Sequence, residues 1–221
     1  MKKTPHRFLP DDDLSENQIY ITIQTFDRFA IDYSERWEWN PHTIREVKKF
    51  NIAPFTKYAK KEGSVLIAGC QSGRDYSLLS KEGYSCLGVG FSFGLLTEAI
   101  KRVPGGHFVQ LDLRGLPFLP ESYDGIYADD LTTIPKRDMK DVLRDFQIFL
   151  KPNGVLYLSL HLGKGNVFVM EDLGGKRYLT LYKKQEIVHM MQGIGFKIVW
   201  SEESPHTDPS LPKWFSLVAK K

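Results

Sequence analysis

Two adjacent carboxylates, Asp129 and Asp130, follow the apolar run YDGIYA (123–128), and His161 sits near the end of a second run, VLYLSLHL (155–162). At strand ends such carboxylates could take a proton from a substrate, bind a cationic one, or simply cap the next helix. His161 could serve as a base or substrate contact, or be a strand-end histidine held by backbone or water. A third stretch, VLIAGCQSGRD (65–75), ends an apolar run at Gly69, adds a second glycine at Gly73 and passes at once into an amphipathic segment. Glycines there let the backbone approach a ligand, and the helix N-terminus that follows favours negative charge. Taken alone, the turn is compatible with a nucleotide cofactor, a dinucleotide included, or with an ordinary strand-to-helix connection. Cys70 and Cys86 are the two cysteines and form no CxxC pair, so neither zinc nor a disulfide framework is expected.

These groups need a scaffold, and the apolar pattern supplies one. Short apolar runs at 64–68, 85–90, 107–113, 123–128 and 155–162 alternate with amphipathic stretches at 74–83, 92–103, 137–150 and 183–195. Two further strands are expected at 196–202 and 214–220. Strands separated by helices predict a mostly parallel α/β sheet with helices on both faces. In such a sheet the ligand crevice lies at the carboxyl ends of the strands, at the topological switch point. Upstream, aromatics at Phe26, Phe29, Tyr33 and Trp37 recur at helical spacing, giving an N-terminal helical lid within 16–42. Pro41 and His42 are read as a break before a second helix at 43–60. Residues 1–15 read as an irregular arm, 16–221 as one domain, the stretch after 162 as a glycine-containing loop, Tyr182 as the start of the penultimate helix, and 206–214 as a proline-rich connection. Tyr182 could face an acceptor pocket or belong to the core.

The 221 residues are 42% hydrophobic and 26% charged, ordinary for a globular chain able to bury a sizeable core. A net charge of +3, spread along the sequence, does not give the concentrated basic face of a nucleic-acid binder. RNA or protein as a substrate stays open. No apolar run approaches membrane-spanning length and no signal peptide is apparent, so a cytoplasmic location without membrane association is the expectation.

VLIAGCQSGRD together with GYSCLGVGFSFGLLTEAIKR (83–102), FVQLDLRGLPFLPESYDGIY (108–127) and FLKPNGVLYLSL (149–160) resembles the class I S-adenosylmethionine-dependent methyltransferases. FDRFAIDYSERW (26–37) looks like that family's capping helix, and the likeness extends over about residues 26–220. It implies a Rossmann-like seven-stranded sheet whose last strand is antiparallel, with S-adenosylmethionine as cofactor. By the same resemblance Gly69, Cys70, Gln71 and Gly73 form the loop beneath the methionine moiety, and Phe91 packs on adenine. Asp112 and Leu113 lie at the adenine edge, Ala128 and Asp129 where donor meets acceptor, and Tyr33 in the cap. Asp130 and His161 complete the candidate catalytic set. The sequence departs from the family at Ile67, where an acid is usual, at Gln71 for a glycine, and at Gly90, where the acid that holds the ribose hydroxyls is missing. A charge-assisted hydrogen bond contributes ~1.5–3 kcal/mol, so that loss weakens binding by roughly one to three decades unless a neighbour such as Ser92 substitutes. The leading expectation is a methyltransferase acting on a small-molecule acceptor. The alternative is an inactive member of the fold that serves as a binding or regulatory module.

Overall fold

A computed structural model describes residues 6–9, 16–170, 175–204 and 212–221. The remainder of the N-terminal arm (1–5 and 10–15) and most of the proline-rich connection (205–211) lie outside the described residues. Strands β2 (Ser64–Ala68), β3 (Ser85–Gly90), β4 (Phe108–Gln110), β5 (Tyr123–Ala128), β6 (Leu150–His161), β9 (Lys197–Ser204) and β10 (Trp214–Lys220) form one sheet in the order β4-β3-β2-β5-β6-β10-β9. Pairing is parallel from β4 to β6, while β10 runs antiparallel to both β6 and β9. The Rossmann-like sheet with an antiparallel last strand is therefore the one expected. Strand order reverses between β2 and β5, which places the switch point beside Gly69 and Ala128.

The strands are apolar on both sides because both faces are covered. One face packs Leu66, Ile126, Leu156 and Leu158 against Met139, Val142 and Phe146 of α7 (Lys136–Phe149) and Ile187 and Met191 of α8 (Lys184–Ile194). The other packs Val65, Ile67, Tyr127 and Tyr157 against Val47, Ile52, Phe55 and Leu79. Ile67, where an acid was usual, is thus a core side chain.

Elements before the sheet differ from the expected plain helices. The cap comprises α1 (Glu16–Arg28), α2 (Ala30–Tyr33) and a π-helical turn, Ser34–Glu38. Asn40 caps α3 (Pro41–Val47) by accepting from Thr43 N at 2.9 Å, so Pro41 starts the second helix rather than breaking the chain. A second π turn, Lys48–Ile52, separates α3 from α4 (Ala53–Tyr58). Pro54 has no N–H to donate, and the helical ladder widens just before it.

Two further departures concern strands. His6–Leu9, placed in an irregular arm by sequence, forms β1 and pairs antiparallel with β7 (Asn166–Met170), which pairs in turn with β8 (Lys176–Thr180). The predicted loop after 162 is thus largely a hairpin, whose buried Val167, Val169, Leu179 and Leu181 make a small core of their own. β4 is shorter than predicted because Asp112 accepts from Arg114 N and opens a 3-10 turn, Leu113–Gly115. The cap and the hairpin are joined. Thr25 Oγ1 donates to Lys176 O at 2.7 Å and accepts from Lys176 N, while Thr22 Oγ1 accepts from Tyr178 N.

Candidate active site

The turn after β2 is built by backbone geometry. Gly69 (φ +82°) and Gly73 (φ +85°) lie in the left-handed region that favours glycine, and Gln71 (φ +49°) adopts it as a non-glycine residue. Gly69 N and Cys70 N both donate to Val89 O, tying the turn to the end of β3. A Cβ on Gly69 would meet nothing nearer than Asp129 O at 3.9 Å, whereas one on Gly73 would press on Ala99 at 3.1 Å. Gly69 therefore keeps the loop's open side clear, and Gly73 allows its helix, α5 (Arg74–Lys81), to approach α6 (Phe93–Arg102). Cys70 contributes backbone only: its thiol is buried, and that burial raises its pKa.

Beneath this loop lies a buried array of charges that sequence reasoning missed. Arg74 Nε and Nη2 donate to the two oxygens of Asp75 at 2.7 and 2.9 Å, and Nη2 also reaches Asp129 Oδ2 at 3.1 Å. Asp129 Oδ1 accepts from Ser159 Oγ at 2.5 Å and from Asn51 Nδ2 at 3.2 Å. Asp129 consequently ties β5 to β6, to α5 and to the second π turn, and its oxygens are engaged as acceptors. Desolvation, followed by the nearby Asp75 carboxylate, pushes its pKa up to about 6. A buried carboxylate with a raised pKa opposes folding when ionised. That penalty is absent below about pH 4, grows between pH 4 and 6, and is complete above 6. Asp129→Asn should accordingly gain stability relative to the unsubstituted protein as pH rises from 4 to 6, by on the order of 3 kcal/mol at most. Chemical denaturation of both across that range measures it, and parallel profiles would count against the assignment.

Asp130 (φ +60°) turns away to a different set of partners. Its Oδ1 accepts from Thr132 N and Oγ1, and its Oδ2 lies 3.9 Å from Arg177 of β8. The predicted carboxylate pair is therefore split between two networks, one under the loop and one beneath the hairpin. His161 is buried, stacks on Trp214 at 3.8 Å between ring centroids, and has Nδ1 3.3 Å from Pro212 O. Among the described residues no hydrogen bond joins it to Asp129. Tyr182 is fully buried in the core.

At the end of β3, Tyr33 packs edge-on against Phe26 at 5.1 Å, and Phe26 lies 6.0 Å from Phe91, so the cap and the end of β3 share one aromatic cluster. Leu113 is a core residue. The carboxylate of Asp112 is held by Arg114, with 2.7 Å between Nη2 and Oδ2, and Arg114 also binds Glu16 of α1. Ser92 cannot stand in freely for the missing ribose acid: it caps α6 through Leu95 N and donates to Asp27 at 2.5 Å.

The cap also reaches the loop itself. Ser72, fully buried, donates from both N and Oγ to Glu38 Oε2. Its Oγ accepts from Ser34 Oγ and Trp39 Nε1, each at 3.0 Å. Trp39 thus packs the cap against the loop, while Trp37 is half exposed. The two π turns supply Ser34, Glu38 and Asn51 to the site. A detectable signal was present in GRD (73–75) and in the polar Ser159 within an apolar strand. Nothing at the sequence level marked Glu38.

Residues 65–154 match the family model described as a methyltransferase domain. A 1,6-didemethyltoxoflavin-N1-methyltransferase from Burkholderia thailandensis, solved with 1,6-didemethyltoxoflavin and S-adenosylhomocysteine, is 17% identical with a TM-score of 0.73, covering 100% of this chain and 96% of that one. A protein from Methanosarcina mazei described as a S-adenosylmethionine-dependent methyltransferase is 17% identical with a TM-score of 0.69, covering 78% and 97%. A (4+2)-cyclase shares the fold at 14% identity and a TM-score of 0.66, covering 92% and 94%. No curated protein matches significantly. Residues 65–154 thus match a methyltransferase domain, and the whole fold is shared with solved S-adenosylmethionine-dependent methyltransferases. The glycine cradle fits that cofactor: its open side is clear at Gly69, and no acid at Gly90 is needed to form the turn. Among the described residues no helix is long and apolar enough to cross a membrane, and no cluster of histidine, cysteine and carboxylate side chains could hold a metal ion.

Proposed function

We propose that the protein transfers a methyl group from S-adenosylmethionine to a small-molecule acceptor in the crevice between the β2 and β5 ends. The observation that carries this reading is the left-handed turn at Gly69, set at the switch point, where an added Cβ would meet nothing nearer than Asp129 O at 3.9 Å. When bound, the cofactor supplies an electrophilic methyl group. The loop 69–73 would support its methionine portion, and the Phe26–Tyr33–Phe91 cluster would flank its adenine. The residues of the chain then act mainly by holding donor and acceptor in line and excluding water, a contribution that alone can reach several kcal/mol. Asp129 is spent on Arg74, Ser159 and Asn51, so it serves this reading as a positioning group rather than a free base. An acceptor that is nucleophilic without strong deprotonation suits such a site.

Incubation with S-adenosylmethionine and pools of small N-, O- and S-nucleophiles should form S-adenosylhomocysteine in an acceptor-dependent way. Turnover confined to RNA or protein fractions would redirect the acceptor class. Cofactor binding without turnover in any pool would favour a binding or regulatory role. Gly90 offers an independent check. A Cβ there would make ordinary contacts, 3.5 Å to Leu96 and 3.6 Å to Cys70 Sγ, so the first atom of an acidic side chain meets no clash. Gly90→Asp or Gly90→Glu is expected to tighten S-adenosylhomocysteine binding by roughly tenfold. Unchanged affinity would mean that the ribose lies elsewhere.

A further inference from the structure

Three carboxylates of the cap each meet the segment following a different parallel strand. Glu16 binds Arg114 after β4, Asp27 accepts from Ser92 Oγ and Gly94 N after β3, and Glu38 accepts from Ser72 after β2. The three are not equivalent. Glu16 is largely exposed, with 65% of its side chain accessible, and Asp27 is also exposed, so solvent screens both. Glu38 is 3% exposed, and hydrogen bonds at a buried carboxylate are stronger and costlier to lose.

The partner of Glu38 is also the most constrained residue of the loop. Ser72 follows Gln71, a non-glycine residue at positive φ, and precedes Gly73, the left-handed residue at the start of α5. Its N–H and hydroxyl proton go to Glu38, while its hydroxyl oxygen receives the Ser34 and Trp39 donors. Its carbonyl lies 3.2 Å from Trp39 Nε1 as well. The left-handed path of the turn is therefore held from outside the sheet, by residues 34–39, as much as by its own glycines.

We propose that Glu38 is a positioning residue: through Ser72 it sets the shape of the cofactor loop, so docking of the cap and binding of the cofactor form one coupled equilibrium. This rests on the S-adenosylmethionine reading of the loop. Glu38 need not touch the cofactor. It stabilises the loop conformation that binds, and a ligand selecting that conformation stabilises cap docking by the same factor.

The test is S-adenosylhomocysteine titration by calorimetry on the full chain, with amide exchange of residues 34–39 followed with and without ligand. Glu38→Ala should weaken binding tenfold or more, and ligand should no longer slow exchange in 34–39. Glu38→Gln keeps an acceptor oxygen for Ser72 and should recover most of the affinity. Should Glu38→Ala fail to fold, Ser72→Ala, which removes only the hydroxyl hub, is expected to show the same loss in milder form. Folded Glu38→Ala or Ser72→Ala protein that binds like the unsubstituted chain, with ligand still protecting 34–39, would overturn the proposal and leave the cofactor reading intact. Failure of the unsubstituted protein to bind would instead remove the cofactor reading and this inference with it.

Discussion

Replacing Arg74 with methionine is expected to lower stability by about 3–5 kcal/mol, the usual cost of removing one partner from a buried ion pair. Arg74 is 11% exposed along its side chain and bonds both Asp75 and Asp129, with Glu38 close enough to raise its pKa further. Methionine matches the length of the apolar stem but leaves these carboxylates buried without their cation. For a chain of this size the loss corresponds to a fall in Tm of about 10 °C or more. Adding Asp129→Asn to Arg74→Met should return part of it, because one stranded charge is gone. A double-mutant cycle by thermal or urea denaturation measures that coupling. Purely additive effects would show that Arg74 and Asp129 do not act as a unit.

The second large effect falls on binding. Gly69→Val should leave the protein folded yet reduce S-adenosylhomocysteine affinity by roughly a hundredfold or more. The new Cβ would make only ordinary contacts, 3.9 Å to Asp129 O and 4.0 Å to Leu131, and the left-handed backbone costs about 1–2 kcal/mol, so the chain is expected to stay folded. The branched side chain would instead fill the space that the cofactor needs. Gly105 supplies the control, since it has nearly the same φ (+80°) and nothing within 4 Å of its Cβ. Gly105→Val should cost similar stability and leave affinity unchanged. Equal loss of affinity in both variants would point to backbone strain rather than occupation of the cradle.

Much of the sheet was legible because its signals are local. SVLIA, SCLGVG and YDGIYA are apolar runs bounded by turn residues, and each became the strand expected. Gly69 and Gly73 were legible as a strand-to-helix turn, and the fold adds that both adopt the left-handed φ that glycine permits. The hairpin was not legible because glycines at 163, 165, 174 and 175 flank it with turn signals and leave only the short alternation of Val167 and Val169 to mark a half-buried strand. The π turns were invisible for a different reason. Their apolar spacing differs little from that of an α-helix over five residues, and they go with Pro54 after the second turn and with tertiary hydrogen bonds from Asn51 to Asp129 and from Ser72 to Glu38. Asp129 and Asp130 were found as residues but not as separate networks, since only the fold shows that Ser159 faces one and Thr132 belongs to the other. Pairings across 30 or more positions, like Ser72 with Glu38, leave no trace in spacing.

The central claim is that the turn after β2 holds a methionine-bearing nucleoside, and calorimetric titration of the unsubstituted protein with S-adenosylhomocysteine tests it most directly. The account predicts saturable binding at one site per chain, weakened roughly a hundredfold or more by Gly69→Val and preserved in Gly105→Val. No heat of binding with ligand at millimolar concentration would contradict it.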